Sequence, residues 1–138
     1  MQKFANEQQM IDFGQNLAKT LEAPAVIELI GDVGAGKTTI TKGIARGLGI
    51  EDEITSPTFT LSKRYSFQKA GKECFLVHYD FYRLNDPGIM SEDLLENIQD
   101  DSTITIIEWG DSVSNLLPEN HLHFYISIND DGSRSISE

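Results

Sequence analysis

Residues 25–39 read Ala-Val-Ile-Glu-Leu-Ile-Gly-Asp-Val-Gly-Ala-Gly-Lys-Thr-Thr, and this stretch decides the fold. Its first six residues are an apolar run of strand length. Residues 31–38 are a complete G-x-x-x-x-G-K-[ST] phosphate loop, and Thr39 to Leu48 has helical character. Strand, glycine loop, helix is the order that phosphate binding requires, because the helix N-terminus brings the positive end of its dipole to the site. The glycines let successive backbone N–H groups turn inward and approach phosphate oxygens, since no Cβ blocks the turn. Lys37 is placed to reach the β- and γ-phosphates, and the Thr38 hydroxyl to ligate Mg²⁺. Average composition produces an accidental match in roughly one of a few hundred chains of this length. The phosphate-binding stretch is therefore Gly31, Val33, Gly34, Ala35, Gly36, Lys37, Thr38 and Thr39.

The rest of the composition bounds what surrounds that loop. At 138 residues the chain is read as one domain, residues 1–138. No apolar stretch approaches the length of a membrane span, and Met1 to Asn6 lacks a signal-peptide pattern, so a cytoplasmic protein is the default expectation. Cys74 stands alone, which leaves no internal disulfide; beside Phe75 and Leu76 it reads as a small buried hydrophobe. The net charge is −11, from 22 acids against 11 bases, the reverse of what gripping a polyphosphate backbone favours. Lys37, Lys42 and Arg46 are expected to form a local positive island at the loop. The acids Glu92, Asp93, Glu96, Asp100 and Asp101 read as a solvated face, with docking of a basic protein partner as the sharper alternative.

Along the chain, Met10, Phe13, Leu17 and Leu21 recur at helical spacing, with Asn6 as N-cap and Gln9 completing a capping box. Residues 51–58 form a loop, held out of regular structure by Pro57. Phe59 to Phe67 and Cys74 to Asp80 are expected as two strands joined by residues 68–72. Ser91 is expected to cap a short helix reaching about Gln99. Thr103 to Glu108 has the pattern of a strand buried on both faces. His121 to Ile128 alternates and leads through Asp130-Asp131-Gly132 to a terminal hairpin with Ser133 to Ser137. The fold class is α/β: a compact, three-layer, P-loop-type domain whose partly parallel sheet carries antiparallel hairpin strands.

A phosphate loop binds; hydrolysis or transfer needs a carboxylate near the metal and the attacking oxygen. Two expected strands end on one, at Asp80 and at Glu108. Carboxyl ends of parallel strands open into the ligand crevice of α/β sheets, which would place both beside the loop. Glu108 is read as closer to Mg²⁺ with Thr38, and Asp80 as sharing that shell or orienting the attacking water. Thr55-Ser56-Pro57-Thr58-Phe59-Thr60 is a hydroxyl-rich loop that suits a γ-phosphate switch, although on the residues alone an ordinary Ser/Thr-capped turn is the plainer reading. An isolated Trp such as Trp109 is weighed first as core, and His78 as a packed side chain with its ring nitrogen satisfied. His121 and His123 lack a third ligand and read as an exposed strand face.

Taken in order, the phosphate loop with Thr39, the segment Thr55-Ser56-Pro57-Thr58-Phe59-Thr60-Leu61, the segment His78-Tyr79-Asp80-Phe81-Tyr82-Arg83-Leu84 and the pair Glu108-Trp109 resemble the TsaE (YjeE) family across nearly the whole chain. That family is the bacterial tRNA threonylcarbamoyladenosine biosynthesis ATPase. The resemblance implies a Mg²⁺-dependent ATPase of low intrinsic activity that binds ATP and ADP. It would act with the TsaB–TsaD pair at position 37 of ANN-decoding tRNAs. It assigns nucleotide binding to the phosphate loop, the metal shell to Thr38 and Glu108, and a catalytic or metal-associated role to Asp80. It also turns the Ser-Pro-Thr loop into a family position, and Trp109 likewise. Asn6 and Glu7 near one end of the chain and Arg134 near the other are the candidates for base contacts. An acidic protein of this kind would meet tRNA only indirectly, through a basic groove on its partners.

Two other classes share the loop. A small-molecule kinase would need an acceptor pocket and an arginine-rich lid, for which 138 residues leave little room. A non-catalytic, nucleotide-gated regulatory subunit would hydrolyse only incidentally. A GTPase is disfavoured, because no [NT]-K-x-D segment is present.

Overall fold

The stretch Ala25–Ile30 forms a strand with the bounds that its apolar run suggests, at the centre of a seven-stranded sheet. The computed structural model describes residues 2–57, 61–82 and 88–138. In chain order these form β1 (Gln2–Phe4), α1 (Glu7–Ala18), β2 (Ala25–Ile30), α2 (Lys37–Gly47), β3 (Ser62–Lys69) and β4 (Lys72–Asp80). Then follow α3 (Ile89–Gln99), β5 (Thr103–Glu108), a 3₁₀ helix (Gly110–Leu116), β6 (Leu122–Ile128) and β7 (Arg134–Ser137). The spatial order is β1-β7-β6-β2-β5-β4-β3. The four central strands β6, β2, β5 and β4 run parallel, and antiparallel strands flank them at both edges. The α/β class with a partly parallel sheet and antiparallel hairpin strands is thus what the chain adopts.

Alternation along the strands sorts the core into two layers. Ile27 and Leu29 of β2, Leu76 of β4, Ile104 and Ile106 of β5 and Phe124 and Ile126 of β6 pack with Met10 of α1 and with Ile40 and Ile44 of α2. On the opposite face Val26, Val77, Tyr79 and Ile107 pack with Leu94 of α3 and Val113 of the 3₁₀ helix. Since β5 is covered on both faces, all six of its residues are buried, as its unbroken apolar run implies. The buried Tyr79 hydroxyl, which would be costly unpaired, donates to Asp93 and accepts from Asn97 Nδ2 at 2.6 Å. Asp93 therefore belongs to a packed contact rather than to a purely solvated acidic face.

Several boundaries move for identifiable reasons. The strands β3 and β4 are joined by Ala70 and Gly71 alone, both at positive φ (54° and 77°), which is a tight two-residue hairpin and not a five-residue connection. The start expected for β3 at Phe59 lies outside the described residues. Gly88, not Ser91, is the N-cap of α3; Ser91 sits inside the first turn and donates its hydroxyl to the Gly88 carbonyl at 2.7 Å. The short β1 and the 3₁₀ helix are too brief to leave a period in the sequence.

Asn6 does cap α1: its Oδ1 accepts from the Gln9 N–H at 2.9 Å, while Gln9 Oε1 accepts from the Ala5 N–H at 2.7 Å. The return bond of the capping box thus lands one residue ahead of the cap. Replacing Asn6 by Ala should cost about 1 kcal/mol, the usual worth of such a cap. Chemical denaturation would measure it, and an unchanged midpoint would remove the cap from the account.

Candidate functional site: the crevice at the phosphate loop

The site lies where the inner face of the sheet changes from aliphatic to charged. Along β4 the residues on that face are Leu76, His78 and Asp80, and along β5 they are Ile104, Ile106 and Glu108. Asp80 and Glu108 are directly opposed in the parallel register, and each is the last residue of its strand. Two carboxylates at adjacent carboxyl ends open toward the turn that follows β2, which is the phosphate loop. The sequence expectation that both acids lie beside the loop is met: Asp80, Glu108, Ser56, Tyr82 and Trp109 line one cavity of about 400 Å³ with Val33, Gly34, Gly36, Lys37, Thr38 and Thr39.

The loop itself is built to present backbone donors. Gly36 is the N-cap of α2 at φ +117°, a conformation in which a side chain is strained, and a Cβ there would also meet Met10 Cε at 2.4 Å. Among the described residues no side chain caps α2 and no acid lies in its first turn, so none of them commits its N-terminal N–H groups and dipole to an internal anion. The helix begins at Lys37, two residues earlier than its apolar pattern suggests, which places Thr38 and Thr39 in that first turn.

Lys37 is nearly inaccessible to solvent, and its Nζ donates to the carbonyls of Gly31 (2.6 Å) and Asp32 (2.9 Å) while lying 4.4 Å from the centre of the Trp109 ring. Burial pushes the ammonium below the ordinary lysine range, and the negative charges of Glu108, Asp80 and Asp32 oppose that shift. A cation, two carboxylates and a ring of N–H donors thus converge on one crevice. Lys42 and Arg46 do not join them. Those two side chains line a separate cavity of about 610 Å³ with Glu51, Asp52 and Glu53, so of the three cations expected at the loop only Lys37 lines this crevice.

Both acids are held in place by neighbours that the motif alone does not reveal. Asp80 Oδ1 accepts from the Tyr82 N–H at 2.9 Å, and Oδ2 accepts from the Ser56 hydroxyl at 3.1 Å. The Ser-Pro-Thr loop is therefore tied to a site carboxylate and is more than an ordinary turn at Ser56; its Thr58, Phe59 and Thr60 lie outside the described residues, as do Arg83 and Leu84. Glu108 Oε2 is bonded to His78 Nε2, so His78 is indeed buried and bonded through one nitrogen, whereas its Nδ1 has no partner among the described residues. Trp109 is both a core and a lining residue: half-buried at φ +57°, it packs against the core layer of Val26, Tyr79 and Ile107 and against Tyr82, with ring centres 4.8 Å apart, and it also lines the crevice. No sequence period could have distinguished that lining position from a buried one.

The three candidates for base contacts come together on the other side of the loop. Asn6, Glu7 and Arg134 line a cavity of about 230 Å³ with Phe4, Met10, Gly34, Gly36 and Thr39. Arg134 donates from Nε to the Ala35 carbonyl (3.0 Å) and from a terminal nitrogen to the Gly34 carbonyl (3.3 Å), which braces the outer wall of the loop. Gly34, Gly36 and Thr39 line both cavities, so the loop is their shared wall. Of the two histidines in and before β6, His121 bonds Glu28 at 3.1 Å and the Pro118 carbonyl at 2.6 Å. Among the described residues there is no group of three or more His, Cys, Asp or Glu arranged to hold a metal, and no helix is long and apolar enough to cross a membrane.

Residues 4–136, which contain all of these elements but β1's first residues and the chain ends, match the family model described as threonylcarbamoyl adenosine biosynthesis protein TsaE. The chain belongs to the TsaE family. Proteins named tRNA threonylcarbamoyladenosine biosynthesis protein TsaE are similar to it in several organisms. That of Streptomyces coelicolor is 37% identical over 85% of this chain and 78% of its own length. That of Haemophilus influenzae is 35% identical over 94% and 83%, and that of Bacillus subtilis 40% identical over 81% and 67%. The crystal structure of Bacillus subtilis YdiB superposes with a TM-score of 0.77 at 30% identity, over 98% of this chain and 80% of that one. The resemblance read from the phosphate loop, the Ser-Pro-Thr segment and the two acidic segments is therefore correct at the level of the TsaE family.

Proposed function

We propose that the crevice binds ATP with Mg²⁺ and hydrolyses it slowly, as the nucleotide-driven component of tRNA threonylcarbamoyladenosine biosynthesis, in a complex with TsaB–TsaD-type proteins. The observation that carries this reading is the convergence of Lys37, Thr38, Asp80 and Glu108 on one cavity at the uncapped N-terminus of α2. The donors suit the ion: one hydroxyl and two carboxylates are hard oxygen ligands, and Mg²⁺ at nucleotide sites takes one or two carboxylates and completes its shell with phosphate oxygens and water. Thr38 and Glu108 would hold it, with Asp80 nearby. When bound, Mg²⁺ supplies charge neutralisation on the β- and γ-phosphate oxygens.

The chain's own residues do the rest. The N–H groups of residues 34–39 and the Lys37 ammonium hold the polyphosphate, and the smaller cavity beside Asn6, Glu7 and Arg134 takes the base. Asp80 orients the attacking water. Its bond to Ser56 couples that carboxylate to the loop at residues 55–57, so a partner that moves the loop changes the geometry of the attack. Slow turnover of the isolated chain follows. The net charge of −11 favours docking on a basic protein groove over direct contact with tRNA.

Phosphate release from ATP without any phosphoryl acceptor is the test. The chain should release phosphate slowly and only with Mg²⁺, and should co-purify with a TsaB–TsaD pair in a nucleotide-dependent way. Because Trp109 is the sole tryptophan and lies over Lys37, nucleotide binding should also change its emission. Release that requires a small-molecule acceptor would replace this reading by a kinase. Absence of release and of association under every nucleotide condition would sink it.

A further inference from the structure

We propose that His78 is a positioning residue for Glu108: it donates from Nε2 to one carboxylate oxygen and so sets the other toward the crevice. This rests on the nucleotide-site reading above. His78 is fully buried on the inner face of β4, two residues before Asp80 and level with Ile106, which places it diagonally beside Glu108. Its neighbours along that face are Leu76, Ile104 and Ile106, each buried in the aliphatic core. A leucine would fill such a position without the desolvation cost of an imidazole, so packing alone does not account for a histidine here.

Nε2 meets Glu108 Oε2, and Nδ1 has no partner among the described residues. A carboxylate oxygen accepts, so the bond between the two groups carries its proton on Nε2. The imidazole is thus the donor. A glutamate's terminal torsion is soft and nearly two-fold, so an untethered carboxylate exchanges its oxygens and tilts freely. The bond from His78 removes that freedom at a carboxylate that lines the crevice with Lys37 and Thr38. Hydrogen-bonded supports of this kind behind a metal-binding carboxylate change metal affinity or activity by about 10- to 100-fold when removed.

The test compares His78→Leu, which keeps bulk and loses the donor, with His78→Gln, whose amide nitrogen can stand near the position of Nε2. Mg²⁺ affinity of the ADP-bound chain, followed by Trp109 emission, should weaken about 10-fold or more in His78→Leu and recover most of that in His78→Gln. ADP affinity without Mg²⁺ should be the same in all three. In the wild-type chain, ¹⁵N NMR should show His78 with a slowly exchanging proton on Nε2, a measurement that needs no variant to fold. Wild-type Mg²⁺ affinity in His78→Leu, or a proton found on Nδ1 with Nε2 bare, would overturn the proposal while leaving the nucleotide site intact. A wild-type chain that binds no nucleotide would overturn both.

Discussion

Lys37→Ala should lower ATP hydrolysis by about 10²- to 10³-fold, the usual loss when one preorganised charged or hydrogen-bonding group is removed from developing charge. The large effect follows from what the ammonium does in the crevice. Among the described residues lining the cavity it is the only base, and it faces Glu108, Asp80 and Asp32. Removing it leaves the acids and an incoming polyphosphate to repel one another without a cation between them. Two loop carbonyls, of Gly31 and Asp32, also lose their donor, although both belong to a turn open to water. Lys37→Arg should not restore activity, because a planar guanidinium cannot occupy a slot shaped for a compact ammonium on a flexible stem. Phosphate release and nucleotide binding would be measured together with the melting temperature. A fall in hydrolysis at an unchanged melting temperature is the expected result; normal hydrolysis by Lys37→Ala would remove the phosphate loop from the mechanism.

Gly43→Ala should destabilise the chain by about 3 kcal/mol, the upper part of the range for overpacking, where an exposed helical site would instead gain about 1 kcal/mol. The sign is the informative part. Gly43 lies on α2 where it crosses α1, and an added Cβ would come within 2.2 Å of the Ile11 carbonyl oxygen and 2.9 Å of its carbon. Those are backbone atoms, so no side chain can swing aside; the two helices must separate. Because α2 begins at the phosphate loop, and Met10 of α1 abuts Gly36, their separation would also disturb the site. For a chain of this size the melting temperature should fall by about 10 °C. A melting temperature at or above that of the wild type would show that the helices do not approach this closely.

Much of this was legible before any coordinates. The runs Ala25–Ile30 and Thr103–Glu108 form strands over the bounds that their composition suggests, because a strand buried on both faces must be apolar throughout and leaves an unbroken signal. The length of the hairpin turn, centred on Ala70-Gly71 as the sequence suggests, and the cap of α3 are not legible in it, since positive φ at Ala70 and a glycine N-cap carry no side-chain signature. Lys42 and Arg46 illustrate a different limit: proximity in sequence to Lys37 put them at the loop, but the turn of α2 directs them to another cavity.

The local chemistry of this protein is thus a property of its sequence. A glycine loop between a strand and a helix, and an acid ending each of two strands, are short-range features, and backbone sterics and side-chain identity suffice to specify them. Which groups hold those acids is a long-range matter. Ser56 meets Asp80 across 24 residues, His78 meets Glu108 across 30, and Arg134 braces the loop from 99 residues away. Only the sheet's strand order and register bring them together, because pairing of β4 with β5 sets Asp80 opposite Glu108 and puts His78 behind it.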